Sequence, residues 1–173
     1  MKLKDLKSSN LIIRGFTEKD ITPEYIGWLN DPLVVRYSNQ RFKQHTAQSC
    51  LDYLTQMRQE KNFFLKIHSL DQNLYIGTMT GYLAREHGTV DIGILLGNRS
   101  AWGKGYGAEA WKLVMDELLN LEYVRKVTGG TMRCNTAMVK IFKKTGMQLE
   151  ATRPMQELLN GVPQDILCYG KFA

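Results

Sequence analysis

The chain has 173 residues, 43% of them hydrophobic and 23% charged, which is enough apolar material for one self-supporting soluble domain over residues 1–173. A formal charge of +6 favours an anionic partner without choosing among nucleic acid, a phosphorylated cofactor and an acidic substrate. No run reaches the ~20 apolar residues of a membrane span, and the opening MKLKDLKSSN lacks the apolar core and cleavage site of a signal peptide.

Cys50, Cys134 and Cys168 are odd in number and widely spaced, the usage of reduced thiols in a cytoplasmic protein. With His45, His68 and His87 isolated in sequence, no metal site is expected, and Cys134 reads as a packed thiol.

In chain order, Leu11 to Phe16 is a short strand. Thr22-Pro23 starts a helix to Leu29 that Asn30-Asp31-Pro32 stops, and Thr46 caps a helix through Gln59. Phe63 to His68 and Leu74 to Leu83 form a hairpin about a polar turn, and Thr89 to Leu96 adds a third strand. A helix follows from Tyr106 to Leu119, with Ala108, Trp111, Met115, Leu118 and Leu119 at helical spacing. Lys126 to Met132 is a strand, Thr136 to Lys144 a helix stopped by Gly146, and Met147 to Thr152 and Gln164 to Lys171 are strands about a turn at Asn160-Gly161. The sum is an α/β (α+β) domain, a mixed, mostly antiparallel sheet with helices around it.

The stretch Trp102-Gly103-Lys104-Gly105-Tyr106-Gly107 stands between a strand and a helix. Glycines allow close backbone approach, and the first turn of a helix presents unpaired N–H groups and the positive end of its dipole. The combination suits a pyrophosphate, and it suits a tight turn as well. It is not a P-loop, which needs GxxxxGK[ST], and glycines at every second position do not match the dinucleotide fingerprint GxGxxG.

Three motifs in order resemble the Gcn5-related N-acetyltransferase superfamily, and within it the branch of ribosomal-protein and related small-molecule acetyltransferases. The glycine stretch is similar to the family loop Arg/Gln-x-x-Gly-x-Gly/Ala, with Trp102 in place of Arg/Gln and Gly105 and Gly107 at the later positions. Asp91-Ile92-Gly93-Ile94-Leu95-Leu96 resembles the strand that pairs with the pantetheine arm, and Asn135-x-x-Met138-x-x-x-Phe142-x-x-x-Gly146-Met147 resembles the downstream helix motif. The resemblance implies the acyl-CoA N-acyltransferase fold and acetyl-coenzyme A as co-substrate. It implies cofactor contacts from Ile94, Leu95, Leu96, Trp102, Gly103, Lys104, Gly105, Tyr106, Gly107, Ala108, Asn135 and Phe142.

The same resemblance implies direct acetyl transfer to an amine with both substrates bound. Positioning and backbone donors supply much of such a rate. Asp91 stands where relatives carry a glutamate base, or else caps a turn. Phe142 stands where relatives carry a tyrosine that protonates the thiolate; having no proton to give, it leaves that role to Tyr106 or water, or else the thiolate departs unprotonated.

The acceptor is expected between segments 30–45 and 152–164, where Arg36, Tyr37, Arg41 and Arg153 either bind substrate or face solvent. Part of the first segment, Trp28-Leu29-Asn30-Asp31-Pro32-Leu33-Val34 with Arg36-Tyr37, also resembles enzymes that acetylate nucleotide-linked amino sugars. The expected acceptor is a small amine, possible alternatives being a protein or peptide N-terminus and acetyl-coenzyme A binding without catalysis. Direct nucleic-acid binding is not expected, since no dense Lys/Arg stripe or stacking platform is present. Family habit admits a monomer or a homodimer.

Overall fold

Local chemistry sets most element boundaries in the computed structural model, which describes residues 3–173. Helix α1 (Pro23–Leu29) begins where the Thr22 hydroxyl accepts the Tyr25 N–H at 3.2 Å and Pro23 takes the first helical position. Thr46 and Ser49 cap α2 (Ala47–Gln59) reciprocally, each side-chain oxygen accepting the other's backbone N–H at 3.1 and 2.9 Å. Helix α3 (Tyr106–Leu119) starts at Gly105, and α4 (Thr136–Lys144) at Asn135. Gly146, at φ +80°, turns the chain out of α4.

The strands are β1 (Leu6–Lys7), β2 (Leu11–Gly15), β3 (Phe63–Ser69), β4 (Leu74–Ala84), β5 (Thr89–Leu96), β6 (Lys126–Met132), β7 (Gln148–Leu159) and β8 (Val162–Phe172). They form one sheet in the order β1-β2-β3-β4-β5-β6-β8-β7, with every neighbouring pair antiparallel except β5 and β6. This is the mixed, mostly antiparallel sheet flanked by helices that the sequence led us to expect.

Alternation along β3 shows the two layers. Phe63, Leu65 and Ile67 join the core under α3 and α4, while Phe64 joins the cluster under α1 and α2. The buried stripe of α3 runs through Ala110, Trp111, Val114, Met115 and Leu118, whereas Ala108 and Leu119, which the spacing placed on it, are only partly covered.

The last hairpin is longer than its sequence suggested. β7 is exposed over nearly its whole length at the sheet edge, so it carries no apolar alternation to mark its extent. Asn160 and Gly161, at φ +51° and +78°, make its two-residue turn. The two-residue β1 was not expected; its hydrogen bonds to β2, not any periodicity, make it a strand. No described helix is long and apolar enough to cross a membrane.

Candidate active site

Strands β5 and β6 pair only where Thr89–Asp91 lies beside Lys126–Thr128, and then they part. Beyond that point β5 stays bound to β4 and β6 to β8. The inner edges from Ile92 to Leu96 and from Gly129 to Met132 therefore face a wedge-shaped gap, with alternate N–H and C=O groups directed into it. An extended ligand carrying amides can complete such an edge as an added strand would.

Aromatic packing supports the gap from one side. Phe142 is fully buried, stacks on Tyr169 with ring centroids 4.7 Å apart and meets Trp111 edge-on at 5.2 Å. A Cβ on Gly129 would lie 3.0 Å from the Trp111 ring and 3.1 Å from Phe142, so glycine lets β6 lie down on these rings.

The glycine loop closes the far end of β5. Gly103 and Gly105 stand at φ +75° and +89°, in the left-handed region, yet no atom lies within 4 Å of where a Cβ would be. Backbone angle, not crowding, requires glycine there. Gly107 meets the other demand, close approach: a Cβ would lie 3.1 Å from Ile141 and 3.3 Å from Leu96. With Gly105 as N-cap, the N–H groups of Tyr106 and Gly107 have no intrahelical acceptor and no capping side chain, the Ala108 N–H turning back to the Gly105 carbonyl at 3.1 Å. Together with the helix dipole and the exposed Lys104, they give this turn the chemistry to hold an anion. The Trp102 indole N–H donates to the Leu96 carbonyl at 2.8 Å, anchoring the loop to the end of β5.

Under α1 and α2 lies a cavity of about 520 Å³ that reaches Gly93, Ile94 and Leu95 of β5. The phenols of Tyr25, Tyr53 and Tyr82, the hydroxyls of Ser49, Thr78 and Thr80, and Lys43 and His45 line it, and no carboxylate does. The Tyr53 and Tyr82 hydroxyls are 2.6 Å apart. Burial, then the bond to Tyr82, pushes the Tyr53 phenol far above its ordinary range, and burial does the same to Tyr25. Both are neutral hydrogen-bonding groups at physiological pH.

Tyr82 lies opposite Asp91 in the β4–β5 register, and Asp91 lies opposite Thr128 in the β5–β6 register. Asp91 Oδ1 accepts the Thr128 hydroxyl at 2.6 Å, at the last paired position before the strands part. One sheet face thus carries Tyr82, Asp91 and Thr128 side by side at the root of the gap.

A second cavity, of about 610 Å³, shares Leu29, Lys43 and Gln44 with the first and runs on to Leu158–Gly161 at the β7–β8 tip. The α1–α2 loop borders both. Asn30 clamps its ends: the side-chain amide donates to the Ile26 and His45 carbonyls at 3.1 and 2.9 Å, and its oxygen accepts the His45 N–H at 2.8 Å. Arg41 ties the loop to the hairpin, donating to the Ser38 carbonyl at 2.8 Å and the Leu158 carbonyl at 3.0 Å.

A family model described as Acetyltransferase (GNAT) domain matches residues 10–148. The chain belongs to the GNAT acetyltransferases. Solved structures share the fold of this GNAT domain at low identity. One is RimL, a ribosomal L7/L12 alpha-N-protein acetyltransferase in complex with coenzyme A (TM-score 0.83, 16% identity, 98% of each chain covered). Another is the Microcin C7 self immunity acetyltransferase MccE in complex with acetyl-CoA and AMP (TM-score 0.81, 18% identity, 96% of this chain and 94% of that one). A third is spermidine N-acetyltransferase from Vibrio cholerae in complex with CoA and spermine (TM-score 0.83, 15% identity, 95% and 96% covered). No curated protein sequence matches the chain at a significant level.

The GNAT domain brings Ile94, Leu95, Leu96, Trp102 to Ala108 and Asp91 together along β5 and its exit. Asn135 borders the opposite strand, but its side chain is engaged: the oxygen caps Met138 at 3.3 Å and the amide donates to the Thr131 hydroxyl at 3.0 Å. Phe142 lies in the core beneath Gly129. Tyr106 is buried, and its hydroxyl donates to Asp71 in the β3–β4 turn at 2.5 Å. That bond raises the Tyr106 pKa above its ordinary value and directs its proton to Asp71.

Arg36 and Arg41 line the second cavity; Tyr37 and Arg153 line neither. Sequence reasoning missed Tyr25, Tyr53 and Tyr82. Each reads as an ordinary core or strand aromatic, and only the tertiary fold gathers their hydroxyls.

Proposed function

We propose that this GNAT domain transfers an acetyl group from acetyl-coenzyme A to the primary amine of a small polar acceptor, a nucleotide-linked amino sugar, by direct attack with both substrates bound. One observation carries the reading: the inner edge of β5 is free beside the gap while its face forms a wall of a carboxylate-free cavity.

Acetyl-coenzyme A supplies the acetyl group as an activated thioester. The residues present fit it, since the left-handed glycines and open N-terminus of α3 suit a pyrophosphate and the free strand edges suit the amides of a pantetheine arm. Trp102, Gly103, Lys104, Gly105, Tyr106, Gly107 and Ala108 receive the pyrophosphate, and Ile94 to Leu96 align the arm. Asn135 contributes by holding β6 and α4 in place. Asp91 takes the amine proton through water, with Tyr82 between it and the cavity; aspartate is short for direct contact. With its proton held by Asp71, Tyr106 serves the loop, and water is the donor for the departing sulfur.

The lining argues for the acceptor class. Phenols, hydroxyls and amides match the hydroxyls of a sugar, whereas a polyamine needs carboxylates that this cavity lacks. A structure that shares the fold, the acetyltransferase MccE, is in complex with acetyl-CoA and AMP. A ribosomal-protein-like enzyme needs a channel for an extended chain, whereas here the Arg41 bridge ties the α1–α2 loop to the β7–β8 hairpin at Leu158. Three free thiols favour a cytoplasmic setting.

The test is the rate of free-thiol release from acetyl-coenzyme A with nucleotide-linked amino sugars, polyamines and N-terminal peptides as separate acceptors, product mass confirming the acetylated amine. Release is expected with the first pool. Release only with peptides would refute the acceptor assignment. Asp91→Asn is expected to lower kcat about 100-fold while leaving acetyl-coenzyme A affinity unchanged, and an unaltered kcat removes Asp91 from proton transfer.

A further inference from the structure

We infer that the cavity between the α1–α2 loop and the β7–β8 tip is a nucleotide subsite, in which Phe42 stacks on the base and Arg36 and Lys43 bind the phosphates of the acceptor. The inference rests on the acceptor reading above and locates the half of the substrate that carries no amine.

Charge is the first ground. Arg36, Arg41 and Lys43 line this cavity and no Asp or Glu does. Arg41 is occupied by the Ser38 and Leu158 carbonyls, with Glu157 at 3.9 Å. Arg36 rests against the Tyr37 ring, and among the described residues neither Arg36 nor Lys43 has a carboxylate partner. Two uncommitted cations converge on a space that holds no compensating anion.

Phe42 is the second ground. It is 72% exposed and lines the cavity, whereas Phe16, Phe63, Phe64 and Phe142 are buried and the other exposed phenylalanine, Phe172 at the end of β8, does not line it. The Arg41 guanidinium lies over its ring at 4.3 Å from the centroid, and Arg41 is itself held by the two carbonyls, so the ring stands on a fixed support. A supported, exposed aromatic face is what a planar base stacks on. A simple anion has no use for the ring, and an apolar side chain has no use for the cations; a nucleotide needs both.

Continuity is the third. Lys43 and Gln44 line both cavities, so phosphates bound at Lys43 stand where the two meet and the attached sugar continues under α2 toward β5. The volume of about 610 Å³ lies within the range of small-molecule sites.

Calorimetric titration of uridine, thymidine, cytidine and guanosine diphosphates into the full chain tests this, with coenzyme A saturating so that the glycine loop is filled and inorganic pyrophosphate as the base-free probe. At least one nucleoside diphosphate is expected to bind tenfold or more tightly than pyrophosphate. Phe42→Ala should weaken the nucleotide about tenfold and leave pyrophosphate unchanged, Phe42→Trp should restore it, and Arg36→Ala and Lys43→Ala should weaken both probes. These side chains are exposed, and unchanged melting temperatures would show that the variants fold. Equal binding of Phe42→Ala and wild type, or no nucleotide binding at all, overturns the subsite. Failure of coenzyme A itself to bind would overturn the acetyl-coenzyme A reading instead, and the nucleotide titration of the free protein would still decide the subsite.

Discussion

Replacing Gly105 in two ways separates backbone strain from anion binding. Gly105 stands at φ +89° with no neighbour within 4 Å of a built Cβ, so alanine there meets no steric obstacle and carries only the cost of the left-handed conformation. That cost is about 1–2 kcal/mol for an L-residue. In a domain of this size each kcal/mol shifts the melting temperature by about 2–4 °C, so Gly105→Ala should melt about 2–8 °C lower. Gly105→Glu carries similar strain and adds a negative charge.

At about 6 Å from one phosphate charge and an effective dielectric of about 20, that carboxylate is repelled by about 3 kcal/mol. Screening at physiological salt reduces this to about 1.5 kcal/mol, roughly tenfold in affinity. Thermal melts of the free proteins and calorimetric titration with coenzyme A measure the two effects separately. The two variants should melt within a degree or two of each other, while the glutamate variant binds coenzyme A about tenfold more weakly than the alanine variant. Equal affinities would show that no phosphate approaches the loop, and an alanine variant melting like wild type would refute the strain argument.

Asn30→Ala removes three hydrogen bonds from the ends of the α1–α2 loop, worth about 1.5–4.5 kcal/mol together. It should raise KM for the acceptor several-fold with KM for acetyl-coenzyme A unchanged; a rise in both would show that the loop does not belong to the acceptor site alone. Asp20→Asn tests a charge set beneath the sheet edge. Burial pushes the Asp20 carboxyl up, but hydrogen bonds from Lys66, at 2.6 Å, and Thr17 outweigh it and hold the pKa below its ordinary value. A depressed folded pKa stabilises above the unfolded value, ~3.9, and the contribution is lost as pH falls through the folded value. The melting-temperature gap between wild type and Asp20→Asn should therefore be constant well above the unfolded value and narrow as pH falls through and below it; a gap unchanged at low pH would assign the effect to packing.

Particular residues show how far the sequence could be read. Thr22-Pro23, Thr46, Asn160-Gly161 and the glycines at 103 and 105 act through their own backbone angles and nearest neighbours. Their turns and caps therefore stand where local chemistry puts them. The Asn-Asp-Pro segment was legible only in part. Asn30 stops α1, as expected, but its clamp on His45 depends on the chain returning fifteen residues later.

Tyr106 shows the opposite outcome. At the mouth of the glycine loop it read as a proton donor, yet its hydroxyl is turned to Asp71, 35 residues away, because the β3–β4 turn packs beside the start of α3. Phe142, for which the resemblance implied a cofactor contact, is fully buried under Gly129 and stacked on Tyr169, a packing that the sequence alone did not specify.

By itself, the sequence determined the order and type of nearly all the elements and the glycine turn that opens α3, since these follow from periodicity, capping or glycine angles within a dozen residues, while the family showed in three motifs spread from Asp91 to Met147. The tertiary structure alone decided the rest: where β5 and β6 part, which hydroxyls and cations share a cavity, and which do not. A gap between strands is an absence of long-range hydrogen bonds, and a cavity is shaped by surfaces from distant segments, so neither leaves a local mark on the chain.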